Sequence, residues 1–171
     1  MKKINWGILS TAKIGIEKVI PAMQHGKHNK IVAIASRTHE SAREAAKNFK
    51  IPKAYGSYQD LLDDTSIDAV YIPLPNHMHA PWTIKALSAN KHVLCEKPIA
   101  LNATEAKELL KETEKFPHLK VMEAFMYRHH PQWLRVLELI NDGRIGMIKN
   151  VHSFFSYYNN DPENIRNIAD I

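Results

Sequence analysis

The sequence predicts an α/β protein built on a doubly wound parallel sheet, and three observations carry that prediction. Short apolar strands alternate with amphipathic helices from Ile4 to the stop at Asp142-Gly143, the pattern of parallel strands joined by right-handed crossovers. The first strand, Ile4 to Leu9, runs straight into a turn of small residues and then a helix. Each polar or small cluster after that also follows a strand, so all of them are expected at one edge of the sheet.

Composition bounds the function. A chain of 171 residues holds one domain with a sizeable core, or one domain and part of another. With 44% hydrophobic and 24% charged residues it has the makeup of an ordinary globular protein. Its apolar runs are too short to span a membrane, and Met1-Lys2-Lys3 leads into a strand without a signal-peptide core. The single cysteine, Cys95, excludes an internal disulfide and fits a reducing, cytoplasmic setting. The net charge of +5 comes from Lys and Arg scattered among acids, which argues against nucleic acid and a membrane surface and for a small polyanion.

The turn after the first strand places Ser10, Ala12 and Gly15 in the three slots of G-x-G-x-x-G. Small residues there let backbone amides and a helix N-terminus approach a pyrophosphate. The same residues would also suit an ordinary tight turn. The next helix carries Ile16, Val19, Ile20 and Met23 on one stripe. A second strand, residues 30–36, ends in Ser36-Arg37-Thr38. An acid at that point binds the ribose hydroxyl of NAD, whereas an Arg accommodates the 2′-phosphate of NADP. No acid precedes Arg37, so NADP is expected rather than NAD, the alternative being a solvated Arg at a helix start. Thr38 caps a helix with Ala42, Ala45, Ala46 and Phe49 as its buried stripe. A short strand over 53–55 and a helix capped by Ser57 follow.

The fourth strand, residues 67–72, ends in Pro73-Leu74-Pro75-Asn76-His77-Met78-His79. Two prolines cannot continue a ladder, so the chain leaves the sheet there. His77 and His79 lack further ligands at metal spacing, so no metal is expected, and the two are read as lining the cofactor cleft or capping the helix. The fifth strand, residues 91–95, delivers Glu96-Lys97-Pro98 to the same edge, with Pro98 biasing Lys97 toward an extended backbone. Lys97 is either the base that takes a hydroxyl proton during hydride transfer or a residue that only hydrogen-bonds cofactor or solvent, with Glu96 as its salt-bridge partner. Asn102 and Glu105 resemble a capping box before the stripe Ala106, Leu109, Leu110 and Thr113. A sixth strand, residues 119–122, is followed by Tyr127-Arg128-His129-His130 and a helix carrying Trp133, Val136, Leu137 and Ile140.

Four stretches in order resemble the Gfo/Idh/MocA oxidoreductases. They are Trp6 to Gly15, the turn from Asn76 to Pro81, Glu96-Lys97-Pro98, and Glu123 to Gln132. The resemblance implies a Rossmann domain serving an NAD(P)-dependent oxidoreductase of sugars, polyols or dihydrodiols. On the matching positions it implies cofactor roles for Ser10, Thr11, Ala12, Lys13, Ile14, Ser36, Arg37, Leu74, Asn76, His79, Glu96 and Arg128, with Lys97 catalytic. Ser36-Arg37 is similar to the NADP-preferring branch near dihydrodiol and xylose dehydrogenases. The expected domains are 1–122 for the cofactor, 123–144 as a connecting loop and helix, and 145–171 as the start of an incomplete substrate and oligomerisation domain. Residues 145–158 would form its first long strand, Asp161 to Arg166 the segment after it, and the resemblance implies a homo-oligomer through the sheet of that domain. Because no glycine follows Gly146, the glycine-rich stretch of family members is absent. The chain is therefore expected to be an N-terminal fragment that binds cofactor without turning over substrate. The alternative reading is a non-catalytic, redox-sensing NADP module.

Overall fold

Six strands alternate with helices in a computed structural model that describes residues 3–158 and 160. β1 is Ile4–Leu9, β2 Asn29–Ala35, β3 Lys53–Tyr55, β4 Ala69–Ile72, β5 His92–Cys95 and β6 Val121–Glu123. Between them lie α1 (Ile20–His25), α2 (His39–Phe49), α3 (Tyr58–Asp63), α4 (His79–Ser88) and α5 (Ala103–Glu114). The sheet order is β3-β2-β1-β4-β5-β6, with every neighbouring pair parallel. The order reverses at β1, so the chain leaves β1 and β4 in opposite directions. That divergence opens a crevice between the loops at their carboxyl ends.

Alternation along the strands divides the core between the two faces of the sheet. Leu9, Val70 and Ile72 join Leu61, Leu62 and Leu87 on one face. Ile8 and Tyr71, their neighbours in sequence, join Ile20, Met23, Ala45 and Ala46 on the other. Gly7 sits where the β1 register shifts against β2. A Cβ there would come within 2.6 Å of Leu61 Cδ2 and 3.1 Å of Ile67 Cδ1, so the glycine makes room for α3.

The caps form largely as the sequence implies. Thr38 Oγ1 accepts from the Ser41 amide, Ser57 Oγ from Asp60, and Asn102 Oδ1 from Thr104 and Glu105. Two expectations need correction. The helix after the cradle opens as a wide π-type turn, Gly15–Val19, before α1. Pro21 has no amide hydrogen for an α-type bond, and the Ile20 amide bonds back to Gly15 O instead. In α5 only Leu109 is fully buried, while Leu110 is 62% exposed. This helix packs beside α4, and that contact leaves part of the stripe uncovered.

The chain divides into two compact units, Met1–Met126 and Tyr127–Ile171. In the second, α6 spans Pro131–Asn141 behind a His130 cap, with no residue buried. The long strand expected over 145–158 does not form: residues 148–158 have no regular structure, and Phe154 and Phe155 are 94% and 84% exposed. A strand holds its backbone polar groups only beside another strand, and among the described residues none pairs with this segment. The segment Asp161 to Arg166 lies outside the described residues. No helix among the described residues is long and apolar enough to cross a membrane.

Candidate cofactor site

At the reversal point of the sheet lies an open cleft of about 710 Å³, within the usual size of a ligand pocket. Ser10 to Ile14 after β1 form one wall, Ser36 and Arg37 after β2 a second, and Pro73 to Pro75, His77 and Met78 after β4 a third. Tyr58 of α3 closes the end near Arg37. Its phenol is raised by burial, an effect partly offset by the positive charge of Arg37. The ring meets Trp82 edge-on at 5.2 Å between centroids, fixing its plane.

The turn after β1 is held locally. Ser10 has φ +133°, a conformation that suits glycine, and its Oγ accepts from the Ala12 amide at 2.9 Å. Gly15 is buried, and a Cβ there would stand 3.5 Å from Pro73 and 3.6 Å from the Tyr71 ring. The helix start thus lies directly over β4, as a pyrophosphate cradle requires. Thr11 Oγ1 lies 3.4 Å from Ser36 Oγ, linking the β1 and β2 loops. Among the described residues the lining includes Lys13, Arg37 and His77 and no carboxylate. That donor set fits the phosphates of a dinucleotide, and Ser36-Arg37 fits a 2′-phosphate.

The loop after β5 is pinned from beneath. Glu96 is 8% exposed, and its Oε1 accepts from the buried Tyr71 hydroxyl at 2.6 Å. Burial first, then the bond to Glu96, pushes the Tyr71 phenol far above its ordinary value. Glu96 is therefore bonded to Tyr71 and not to Lys97, which is exposed and precedes Pro98 through a cis peptide bond. The extended backbone inferred from Pro98 does not foresee that isomer. Cys95 is fully buried, and burial raises its thiol to about 12, so it is no nucleophile near neutral pH.

The cleft brings together Ser10, Thr11, Ala12, Lys13, Ile14, Ser36, Arg37 and Leu74 of the predicted residues. Asn76 is exposed at the start of the short 3₁₀ turn Asn76–Met78. His79 is 1% exposed, with Nδ1 2.6 Å from Pro98 O and Nε2 2.7 Å from Leu74 O. Both ring nitrogens thus face main-chain carbonyls, and His79 holds the β4 and β5 loops from behind. His77 lines the cleft while His79 is committed inward, so the two are not a ligand pair. Arg128 is exposed in the second unit. Of the lining residues, Tyr58 is the one that sequence reasoning missed, while Pro73, Pro75 and Met78 belong to the turn expected at this edge but were given no role of their own. An aromatic directly after the Ser57 cap was the available signal for Tyr58.

Strand order, small-residue turn and acid-free cleft define a dinucleotide-binding domain of the doubly wound class. The chain belongs to the GFO_IDH_MocA family, described as an oxidoreductase family with an NAD-binding Rossmann fold, whose model matches residues 4–125. It is 44% identical to an uncharacterized oxidoreductase of Rhizobium meliloti, over 100% of this chain and 51% of the relative. It is 47% identical to an NADP(+) D-xylose 1-dehydrogenase of Haloferax volcanii, over 89% of this chain and 46% of that enzyme. A 3-ketoreductase from Actinomadura kijaniata, crystallised with TDP-benzene and NADP, superposes with a TM-score of 0.77 and 34% identity, over 83% of this chain and 44% of that one. The chain spans about half the length of the curated relatives it matches.

Proposed function

We propose that this chain is the cofactor-binding part of an NADP-dependent oxidoreductase that moves a hydride between the nicotinamide and a CH–OH group of a sugar, polyol or dihydrodiol. The observation that carries the reading is the cleft at the sheet reversal, with Ser36 and Arg37 at the end of β2 and, among the described residues, no carboxylate in its lining. The NADP-linked xylose dehydrogenase and the NADP-bound ketoreductase among the relatives support it. Bound NADP supplies or accepts the hydride. The protein's part is to bind, orient and handle the proton.

In this reading the turn from Ser10 to Ile14 holds the pyrophosphate, and Ser36 and Arg37 hold the 2′-phosphate through a hydroxyl and a guanidinium fork. Leu74, Asn76 and Glu96 complete the cofactor contacts. His79 contributes from behind the wall. Lys97, exposed at the carboxyl rim after β5, takes the substrate hydroxyl proton in oxidation and returns it in reduction.

Titrating the chain with NADPH and NADH by nucleotide fluorescence tests the assignment. NADPH is expected to bind more tightly. Arg37→Asp is expected to weaken NADPH about tenfold or more, near 1.4 kcal/mol, and to leave NADH within about twofold, a shift below 0.5 kcal/mol. An unchanged preference in Arg37→Asp would remove the 2′-phosphate site from the account.

A further inference from the structure

The loop that carries Lys97 is tied by side chains from three different elements. Tyr71 of β4 donates to Glu96 Oε1 at 2.6 Å. His79 of α4 places Nδ1 2.6 Å from Pro98 O. Glu123 of β6 accepts the Ile99 amide on Oε1 at 2.9 Å. One anchor precedes Lys97 by a residue, one follows it by a residue, and the third follows by two. Tyr71 is fully buried and Glu123 partly so, so two of these bonds come from strands whose positions the parallel ladder fixes.

We propose that Tyr71 and Glu123 are positioning residues that set the register of the Glu96–Ile99 loop, and through it Lys97, against the nicotinamide half of the cofactor. The proposal rests on the reading of the cleft as an NADP site and adds which residues outside that cleft govern one end of it. Neither residue lines the cleft. Each acts through the loop it holds. Preorganising a reactive group on rigid elements matters because a displacement of about 1 Å is enough to lower rates a hundredfold.

The geometry predicts a split between the two halves of the nucleotide. Loss of either anchor lets the loop after β5 shift, while the turn after β1 and the Ser36-Arg37 corner keep their own local bonds. A generally weakened fold would instead affect both halves together. Glu123→Gln keeps a carbonyl oxygen that can accept the Ile99 amide, and Glu123→Ala does not.

The test is a pair of titrations on the 171-residue chain, one with NADPH and one with 2′,5′-ADP, which lacks the nicotinamide half. Tyr71→Phe and Glu123→Ala are expected to weaken NADPH about tenfold, near 1.4 kcal/mol, while 2′,5′-ADP stays within about twofold. Glu123→Gln is expected to bind NADPH as the parent chain does. Unchanged NADPH affinity in both loss variants overturns the proposal, and so does a parallel loss of both ligands or a failure of Glu123→Gln to rescue. If Tyr71→Phe does not fold, the Ala and Gln variants at position 123 decide alone. A parent chain that binds 2′,5′-ADP but responds wrongly in the variants overturns this inference only. A parent chain that binds neither ligand removes the NADP reading and the inference with it.

Discussion

Ser10 shows how one residue can carry both strain and its partial relief. At φ +133° its Cβ occupies a region that costs about 1–3 kcal/mol for a non-glycine residue. The bond from the Ala12 amide to Ser10 Oγ returns some of that. Ser10→Gly is expected to raise stability by about 1 kcal/mol, as the strain disappears and only one part-buried hydrogen bond is lost. NADPH affinity should stay within about twofold, a shift below 0.5 kcal/mol; thermal melts with and without nucleotide check both. That the turn from Ser10 to Ile14 meets Ser36 and Arg37 at one cleft was legible in the sequence, because that placement depends on distance along the chain from a strand end. His79 was not legible in the same way. Its two carbonyl partners lie five and nineteen residues away, and only the packing of α4 against two loops shows that the ring faces inward.

At the scale of elements, strand and helix existence followed from apolar periodicity, with boundaries moved by one to two residues in β2, β4, β5 and β6. What periodicity lacked was the amount of surface available to each helix. Leu110 belongs to the α5 stripe by spacing but is exposed, and among the described residues the aromatic segment beyond Gly146 finds no neighbouring strand. Gly7 was equally silent, since only the assembled sheet shows α3 lying over it. Gly7→Ala is expected to destabilise the chain by about 1–3 kcal/mol through overpacking against Leu61 and Ile67. A denaturation midpoint lowered at unchanged slope is the signature to look for. A midpoint within error of the parent would mean that Leu61 yields freely.

Across the whole molecule, the carboxyl ends of the strands serve the ligand while the loop leading into β4 holds a charge network. Asp64 accepts from Lys53 Nζ at 2.7 Å, Tyr55 OH at 2.9 Å, and both Ser66 N and Ser66 Oγ. Burial alone would raise its carboxyl, but the bonds from Lys53, Ser66 and Tyr55 outweigh that and hold it well below the usual carboxylate range. A folded-state value below the unfolded one, near about 3.9, stabilises the protein above that pH. The contribution is lost as pH falls through the folded value. Asp64→Asn is therefore expected to cost about 1 kcal/mol at neutral pH and to flatten the loss of stability below about pH 4, read by urea melts across pH. An unchanged acid profile would detach the network from stability. Beside it, the buried Lys91 amine donates to Asp64 O and Ile67 O, closing the same loop from the β5 side. The strand order has one more consequence, in time and not in space. Because Trp6 pairs with both Ile31 and Ala69, a growing polypeptide has a mate for its first strand long before the second flank is synthesised. At about 5–20 residues per second, the Pro73–Met78 side of the cleft is synthesised seconds after the sides from β1 and β2, so the groove is completed late in synthesis.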